Sequence, residues 1–146
     1  MKVVAQNRRA RFDYEILETV EAGIMLTGQE VKSCRLGQVN LAGAYVSLFG
    51  GRPLIKHMKI SVYKYAGPLP SYDPEQDRIL LLKKNEALKI GSATAEKGMT
   101  VVPLEVHAGK FIKVLLGVCR GRKTLDKRAR IREREVERRQ RRGDVD

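Results

Sequence analysis

Five side chains of this sequence have types and spacing that could support catalysis or metal binding. His57 and His107 each stand at an alternating position of a strand-like run, which is typical of half-exposed strand residues. Asp73, Glu75 and Asp77 could hold Mg²⁺ for a nuclease, but they lie in a proline-rich loop, where acidic clusters are usually solvated. No phosphate-binding loop, zinc-binding helix or nucleophile elbow accompanies them. We expect no enzyme, no metal and no cofactor, and the nuclease stays as an alternative.

Aromatic residues that stand beside cationic residues indicate a different chemistry. The sequence places rings next to Lys or Arg at Phe12, Tyr63, Tyr65 and Phe111. Surfaces of this type stack nucleobases on the rings and bind phosphates with the cations. A second interpretation stays open for these rings, since they could instead fill a small hydrophobic core.

The charge supports a polyanionic partner. The chain has 146 residues with 29 Lys and Arg against 17 Asp and Glu, a formal net charge of +12. This excess favours nucleic acid or an anionic membrane surface as a partner. Residues 120–142 contain 12 basic and 4 acidic residues, a net charge of +8, whereas residues 1–119 have a net charge of +6. The basic charge is therefore divided between two regions.

The cysteines and the hydropathy suggest a cytoplasmic protein that does not enter membranes. Cys34 and Cys119 are too few and too far apart for a disulfide scaffold, and they form no Cys-x-x-Cys pair. No apolar run approaches the roughly 20 residues that a membrane helix needs. The first residues have no secretory hydrophobic region.

The elements that must position these side chains are mostly strands. Alternating apolar residues and glycine-rich turns predict about six short strands, one short helix between Gly28 and Gly37, and a helical stretch over 79–97. Pro103 predicts an edge or a bulge in its strand. We expect a mainly β fold: a six-stranded antiparallel OB-like barrel with peripheral short helices. This domain spans residues 1–119, including a basic N-terminal arm over 1–12.

Residues 120–146 form a basic C-terminal tail. The stretch 124–142 contains no Pro or Gly, so it permits a helix, but its four apolar residues are too few to anchor one on a core. We expect the tail to be disordered alone and helical when it lies along phosphates.

Six blocks of this sequence are similar, in order, to those of a known family, the SsrA-binding proteins (small protein B). They are NRRARFDYEI (7–16), EAGIMLTGQEVKSCRLG (21–37), NLAGAYV (40–46), DPEQDRILLL (73–82), KGMTVVPL (97–104) and LGVCRGRKTLDKR (116–128). The resemblance covers roughly residues 7–135. It implies a six-stranded OB-like barrel with peripheral helices, in agreement with the pattern of strands.

The resemblance also implies a function, which is the rescue of stalled ribosomes and tagging of the nascent peptide (trans-translation). Such a protein binds the tRNA-like domain of transfer-messenger RNA and delivers it to the A site. The tail occupies the decoding centre of 16S rRNA and the empty mRNA channel. Alanyl-charged transfer-messenger RNA and elongation factor Tu are the further partners, and the protein is expected to be a monomer. The alternative is a structural ribosomal protein with an OB-like body and a basic tail.

The residues that would bind RNA form three groups. The resemblance implies RNA contacts for Asn7, Glu21 and Leu81. We add phosphate contacts by basic residues of the arm and the short helix: Arg8, Arg9, Arg11, Lys32 and Arg35. In the tail, the resemblance implies ribosome binding by Gly121, Arg122, Lys123, Asp126, Lys127 and Arg128.

Overall fold

The computed structural model describes residues 2–49 and 52–121, and within these ranges a large antiparallel sheet dominates. Its strands follow the order β1-β8-β9-β2-β7-β5-β4, and β3 and β6 form a separate pair. The strands are β1 (Lys2–Gln6), β2 (Tyr14–Ile24), β3 (Val39–Asn40), β4 (Tyr45–Phe49), β5 (Arg52–Lys56), β6 (Lys59–Ile60), β7 (Arg78–Leu81), β8 (Met99–Ala108) and β9 (Ile112–Gly121). The helices are α1 (Arg8–Asp13), α2 (Gly28–Arg35) and α3 (Lys84–Ala95).

The centre of the sheet consists of the three long strands β8, β9 and β2. β9 lies between the other two and pairs with both along its whole length. The pairing of β8 with β9 has an irregularity between Pro103 and Glu105, which confirms the bulge predicted at this proline. Gly117 of β9 faces Leu104 so closely that a Cβ would lie 2.8 Å from Leu104 Cδ1. This position therefore requires glycine for close packing.

The hydrophobic core lies inside the curl of this sheet. β4 packs against β8, and α3 packs against both strands. The enclosed side chains are almost all aliphatic, including Ile55, Met58, Ile60, Ile90, Val106, Val114 and Leu116. Burying side chains of this size stabilises a fold by roughly 1.5–3 kcal/mol each.

The mainly β, antiparallel fold with peripheral short helices is confirmed, but the number of strands differs from the six predicted. Residues 2–6, predicted as part of a basic arm, pair with β8 as an edge strand, and residues 8–13 form α1. Arg78–Leu81, at the start of the stretch predicted helical, forms β7 instead, because apolar residues there pair with β5 and β2. Within the described ranges the seven-stranded sheet is open, since no ladder joins β4 to β1.

The short helix α2 is confirmed, and its start is set by a capping box. Thr27 Oγ1 accepts a hydrogen bond from the Glu30 backbone N–H, while the Glu30 carboxylate accepts one from the Thr27 backbone N–H.

Of the helices in the described ranges, none is long and apolar enough to cross a membrane.

Both cysteines are buried as free thiols, as their use in the sequence predicted. Burial raises the pKa of the Cys34 thiol to about 12 and that of the Cys119 thiol to about 11. Both groups therefore stay protonated at neutral pH, which makes them poor nucleophiles.

Candidate nucleic-acid interface

A groove of about 600 Å³ opens where β2 leaves the sheet and passes into α2. Three large apolar side chains line it and remain exposed: Met25 (54%), Leu81 (54%) and Phe111 (66%). Exposed apolar side chains grouped in a concave site are typical of a ligand surface rather than of a solvated loop. Among them, the aromatic ring of Phe111 is suited to stacking against a nucleobase.

Three cations surround these apolar side chains: Arg35 of α2, Lys113 of β9, and Lys110 in the turn before β9. Arg35 donates hydrogen bonds to the carbonyl oxygens of Gly109 (2.9 Å) and Lys110 (3.3 Å), so it fixes the β8–β9 turn against α2. The ammonium of Lys110 lies 5.8 Å from the centre of the Phe111 ring. The groove therefore places phosphate-binding groups beside a stacking surface.

Leu81 also borders a second, shallower groove of about 460 Å³ that contains Glu21. Gly23 and Lys113 line both grooves. A Cβ at Gly23 would lie 3.2 Å from the Leu81 Cβ. The missing side chain at Gly23 therefore leaves room for Leu81 of β7. The structure thus brings together three residues predicted from the sequence, namely Glu21, Leu81 and Arg35.

The carboxylate of Glu21 belongs to a chain of polar contacts across the sheet. One oxygen lies 3.5 Å from Lys113 Nζ and the other lies 3.4 Å from His107 Nδ1. His107 Nε2 is 2.7 Å from Glu105 Oε2, and the other Glu105 oxygen accepts a hydrogen bond from Arg11 at 3.2 Å. These contacts orient Glu21 and connect α1 to the grooves. In the sequence, Lys113 stands out only as a cation near Phe111, Glu105 has no signal beyond strand alternation, and His107 matches an ordinary strand residue.

Asn7, for which the resemblance implies an RNA contact, is only 6% exposed, and its amide group is hydrogen-bonded within the protein. Its Nδ2 donates to the carbonyl oxygens of Leu41 (3.2 Å) and Pro103 (2.9 Å). Its Oδ1 accepts from the backbone N–H of Ala10 at 3.1 Å, which makes Asn7 the N-cap of α1. The side chain therefore anchors α1 to the sheet.

The other predicted basic residues lie outside the two grooves. Arg8 and Arg9 are exposed on α1, where Arg9 pairs with Asp13 at 3.1 Å. Lys32 is exposed on α2 with its ammonium 5.6 Å from the Tyr63 ring centre. Gly121 ends β9 opposite Tyr14. The remaining predicted tail residues lie outside the described residues: Arg122, Lys123, Asp126, Lys127 and Arg128.

The acidic loop does not form the cluster that a nuclease would need. Asp73 Oδ1 accepts a hydrogen bond from the Glu75 backbone N–H, and Asp77 lies 3.7 Å from Lys56 Nζ. Across the part of the chain that the structure describes, no three His, Cys, Asp or Glu side chains could hold a metal ion. The geometry therefore gives the nuclease alternative no support.

Comparison with known proteins agrees with the fold and the motifs. The family model for the SmpB protein matches residues 4–144. The SsrA-binding protein of Coprothermobacter proteolyticus is 47% identical over 144 residues, which cover 97% of this chain and 96% of that protein. The SsrA-binding protein of Lactobacillus helveticus is 45% identical over 137 residues, covering 93% of this chain and 90% of the relative.

A solved chain from work on tmRNA–SmpB and the centre of the bacterial ribosome has the same fold. It superposes with a TM-score of 0.69 at 43% identity, covering 84% of this chain and 85% of its own length. The family match, the curated relatives and this structure agree over most of the sequence. The chain therefore belongs to the SmpB protein family, the SsrA-binding proteins.

Proposed function

We propose that this protein binds the tRNA-like domain of transfer-messenger RNA and delivers it to the A site of stalled ribosomes. The observation that carries the RNA-binding part is the apolar groove with its exposed Leu81 and Phe111 and its surrounding cations. The names of its relatives, SsrA-binding proteins, support the choice of RNA. Family membership also favours this function over that of a structural ribosomal protein.

In this proposal, the body positions the RNA and performs no chemistry on it. Phe111 and Leu81 contact nucleobases, while Arg35, Lys110 and Lys113 bind phosphates. Glu21 accepts hydrogen bonds from a base or a 2′-hydroxyl. This is an unusual role for an acidic residue in a basic protein. His107 and Lys113 support this role because they hold the Glu21 carboxylate in place.

The ribosome half of the proposed function belongs to the tail. Residues 120–142, with a net charge of +8, engage the decoding centre of 16S rRNA and the empty mRNA channel. We assign this role to Gly121, Arg122, Lys123, Asp126, Lys127 and Arg128. The protein acts as a monomer, and its bound RNA carries alanine and travels with elongation factor Tu.

The groove is tested by measuring the affinity of the full chain for a transcribed tRNA-like domain. Leu81→Ala and Phe111→Ala should each weaken binding by about fivefold or more, because the first removes apolar contact area and the second removes a stacking ring. Leu17→Ala is the matched control, because Leu17 is a similarly exposed leucine (49%) near the opposite end of β2. Unchanged affinity in both groove variants, or an equal loss in the control, would contradict the assignment.

A further inference from the structure

Two tyrosines and two lysines form a second cationic-aromatic surface, which we call the Tyr63–Tyr65 platform. It consists of Lys32 on α2 and of Tyr63, Lys64 and Tyr65 in the segment after β6. The two rings meet edge to face with their centres 5.4 Å apart. Lys32 Nζ lies 5.6 Å from the Tyr63 ring centre, and Lys64 Nζ lies 4.8 Å from that of Tyr65. Tyr65 is 73% exposed, so these rings are not core residues.

The platform is attached to α2 by hydrogen bonds that hold its backbone in place. The Gln29 side chain accepts a hydrogen bond from the Tyr63 backbone N–H at 2.9 Å. Ser33 Oγ donates to the Ser61 carbonyl oxygen at 2.6 Å. The Ser61 backbone N–H donates to the Gln38 carbonyl oxygen at 3.1 Å. Because the segment is fixed before any ligand arrives, it loses little conformational entropy on binding.

A hollow of about 320 Å³ lies beside these tyrosines. Tyr63, Lys64, and the exposed side chains of Leu36 and Val62 line it. The combination of an exposed ring, an adjacent hollow and two cations is suited to a stacked base with its phosphate. It is poorly suited to an apolar partner, because both lysines would lose their hydration.

The platform and the apolar groove are neighbours across α2. Val31 and Arg35 of this helix line the groove, while Ser33 and the C-cap residue Leu36 line the hollow beside the platform. Lys32 lies on the exposed ridge between the two sets. A helix with its side chains is about 10 Å across, so a stacked strand with a phosphate spacing of about 3.4 Å crosses it in roughly three nucleotides.

We propose that the RNA held in the groove continues over the ridge of α2 and places unpaired nucleotides on the Tyr63–Tyr65 platform. Arg35 and Lys32 bind successive phosphates of the crossing strand, and Tyr65 stacks on a base. The inference rests on the proposed function, because the occupant of the platform is the same RNA molecule that fills the groove. It extends the RNA footprint to residues beyond the two grooves.

Single-tryptophan variants test the contact directly, because the chain contains no tryptophan. Tyr65→Trp and Phe111→Trp are each titrated with the isolated tRNA-like domain, and stacking on a base should quench both fluorescence signals. Quenching of Phe111→Trp without quenching of Tyr65→Trp overturns the platform and leaves the proposed function intact. If the wild-type protein does not bind the RNA, the proposed function itself fails.

Affinities and salt dependence give a second, independent readout. Tyr65→Ala should weaken binding of the isolated RNA by about fivefold or more. Tyr65→Phe should bind like the wild type, because the ring is kept. Lys32→Gln should lower the slope of log K against log salt by about 0.7, as for one lost phosphate contact. Lys97→Gln, an exposed lysine in the turn before β8, is the matched control. If Tyr65→Ala leaves this affinity unchanged and impairs only ribosome binding, the proposal is wrong and the platform contacts a different RNA.

Discussion

The buried pair Glu30 and Arg78 is the most connected polar group of the described residues. Both side chains are 2% exposed, and Arg78 Nη2 lies 2.7 Å from a Glu30 carboxylate oxygen. The Tyr72 hydroxyl donates to the same carboxylate at 3.0 Å, and Arg78 donates to the Pro74 carbonyl oxygen at 2.9 Å. These bonds attach the irregular segment 61–77 to α2, and so they support the platform as well as the fold.

Arg78→Met should lower the free energy of unfolding by about 3 kcal/mol or more, because it leaves the Glu30 carboxylate buried without its partner. Denaturant unfolding of the two proteins measures the difference. Lys56→Met is the matched control, since Lys56 forms a longer and more exposed pair with Asp77 (3.7 Å). Its loss should cost less than about 1 kcal/mol. Similar costs for the two variants would contradict a structural role for the buried pair.

The same pair determines how stability responds to acid. Burial alone would raise the pKa of Glu30, but hydrogen bonds from the Thr27 backbone and the Arg78 guanidinium lower it below its ordinary value of 4.5. The resulting stabilisation is complete above that ordinary value and is lost as the pH falls through the lowered pKa of the folded state. Arg78→Met removes a cause of the lowering, so its stability should fall less steeply than that of the wild type below pH 4.5.

At the scale of elements, α1 shows how a residue can serve an interface without lying on it. The helix has only one buried residue, Ala10, so its own packing contributes little. Asn7 attaches it to the sheet through the carbonyl oxygens of Leu41 and Pro103, and Arg11 reaches Glu105. Arg8 and Arg9 are thereby presented to solvent on a fixed support.

Asn7→Ala should therefore reduce the stability of the folded protein more than it reduces the affinity for RNA. The variant loses the helix cap and leaves two carbonyl oxygens without their donor, at a cost of about 2 kcal/mol. Thermal unfolding of the free protein measures this loss. Asn7→Asp separates the two contributions, because it retains the acceptor for Ala10 but cannot donate to Leu41 and Pro103. An unchanged melting temperature with weaker RNA binding would show that Asn7 contacts RNA directly.

The sequence predicted the elements whose stabilising contacts are formed between residues close together in the chain. The glycines that flank α2 were enough to predict that helix, and the structure adds the capping box of Thr27 and Glu30 that stabilises its start. α1 was missed because it lacks apolar periodicity, although Asn7 three residues before Ala10 is an N-cap signal. β1 and β7 were missed because their pairing with distant strands, rather than local propensity, decides their conformation.

The same distinction explains which parts of the candidate site were predictable. Arg35 was predicted from its basic character, and Glu21 and Leu81 were predicted from the family motifs. Their closeness depends on the antiparallel pairing of Gly23 with both Leu81 and Lys113, which are far apart in the sequence. Lys113 is also a cation near Phe111 in the sequence, but its place beside Glu21, like that of His107, follows only from this register.

At the scale of the whole molecule, the charge is divided between the sheet that ends with β9 and the residues that follow it in the sequence. β9 continues past the boundary predicted at residue 119: Arg120 pairs with Glu15 and Met99, and Gly121 pairs with Tyr14. These two residues therefore belong to the folded body. Residues 1–121 carry a net charge of +7 and residues 122–146 a net charge of +5, so most of the charge needed to hold RNA lies within the body.

A chain that ends at Gly121 should bind the isolated tRNA-like domain within about twofold of the full protein, because both grooves and the platform remain. The same chain should fail to support peptide tagging on stalled ribosomes, because all of the proposed ribosome-binding residues except Gly121 are gone. A chain that ends at Val118 is the structural control, since it also loses the buried Cys119 and three ladder pairs with β2. It should unfold at a lower temperature than the chain ending at Gly121. Equal losses of RNA binding and tagging in the chain ending at Gly121 would show that body and tail hold one RNA together, and the two regions of charge would then not serve two partners.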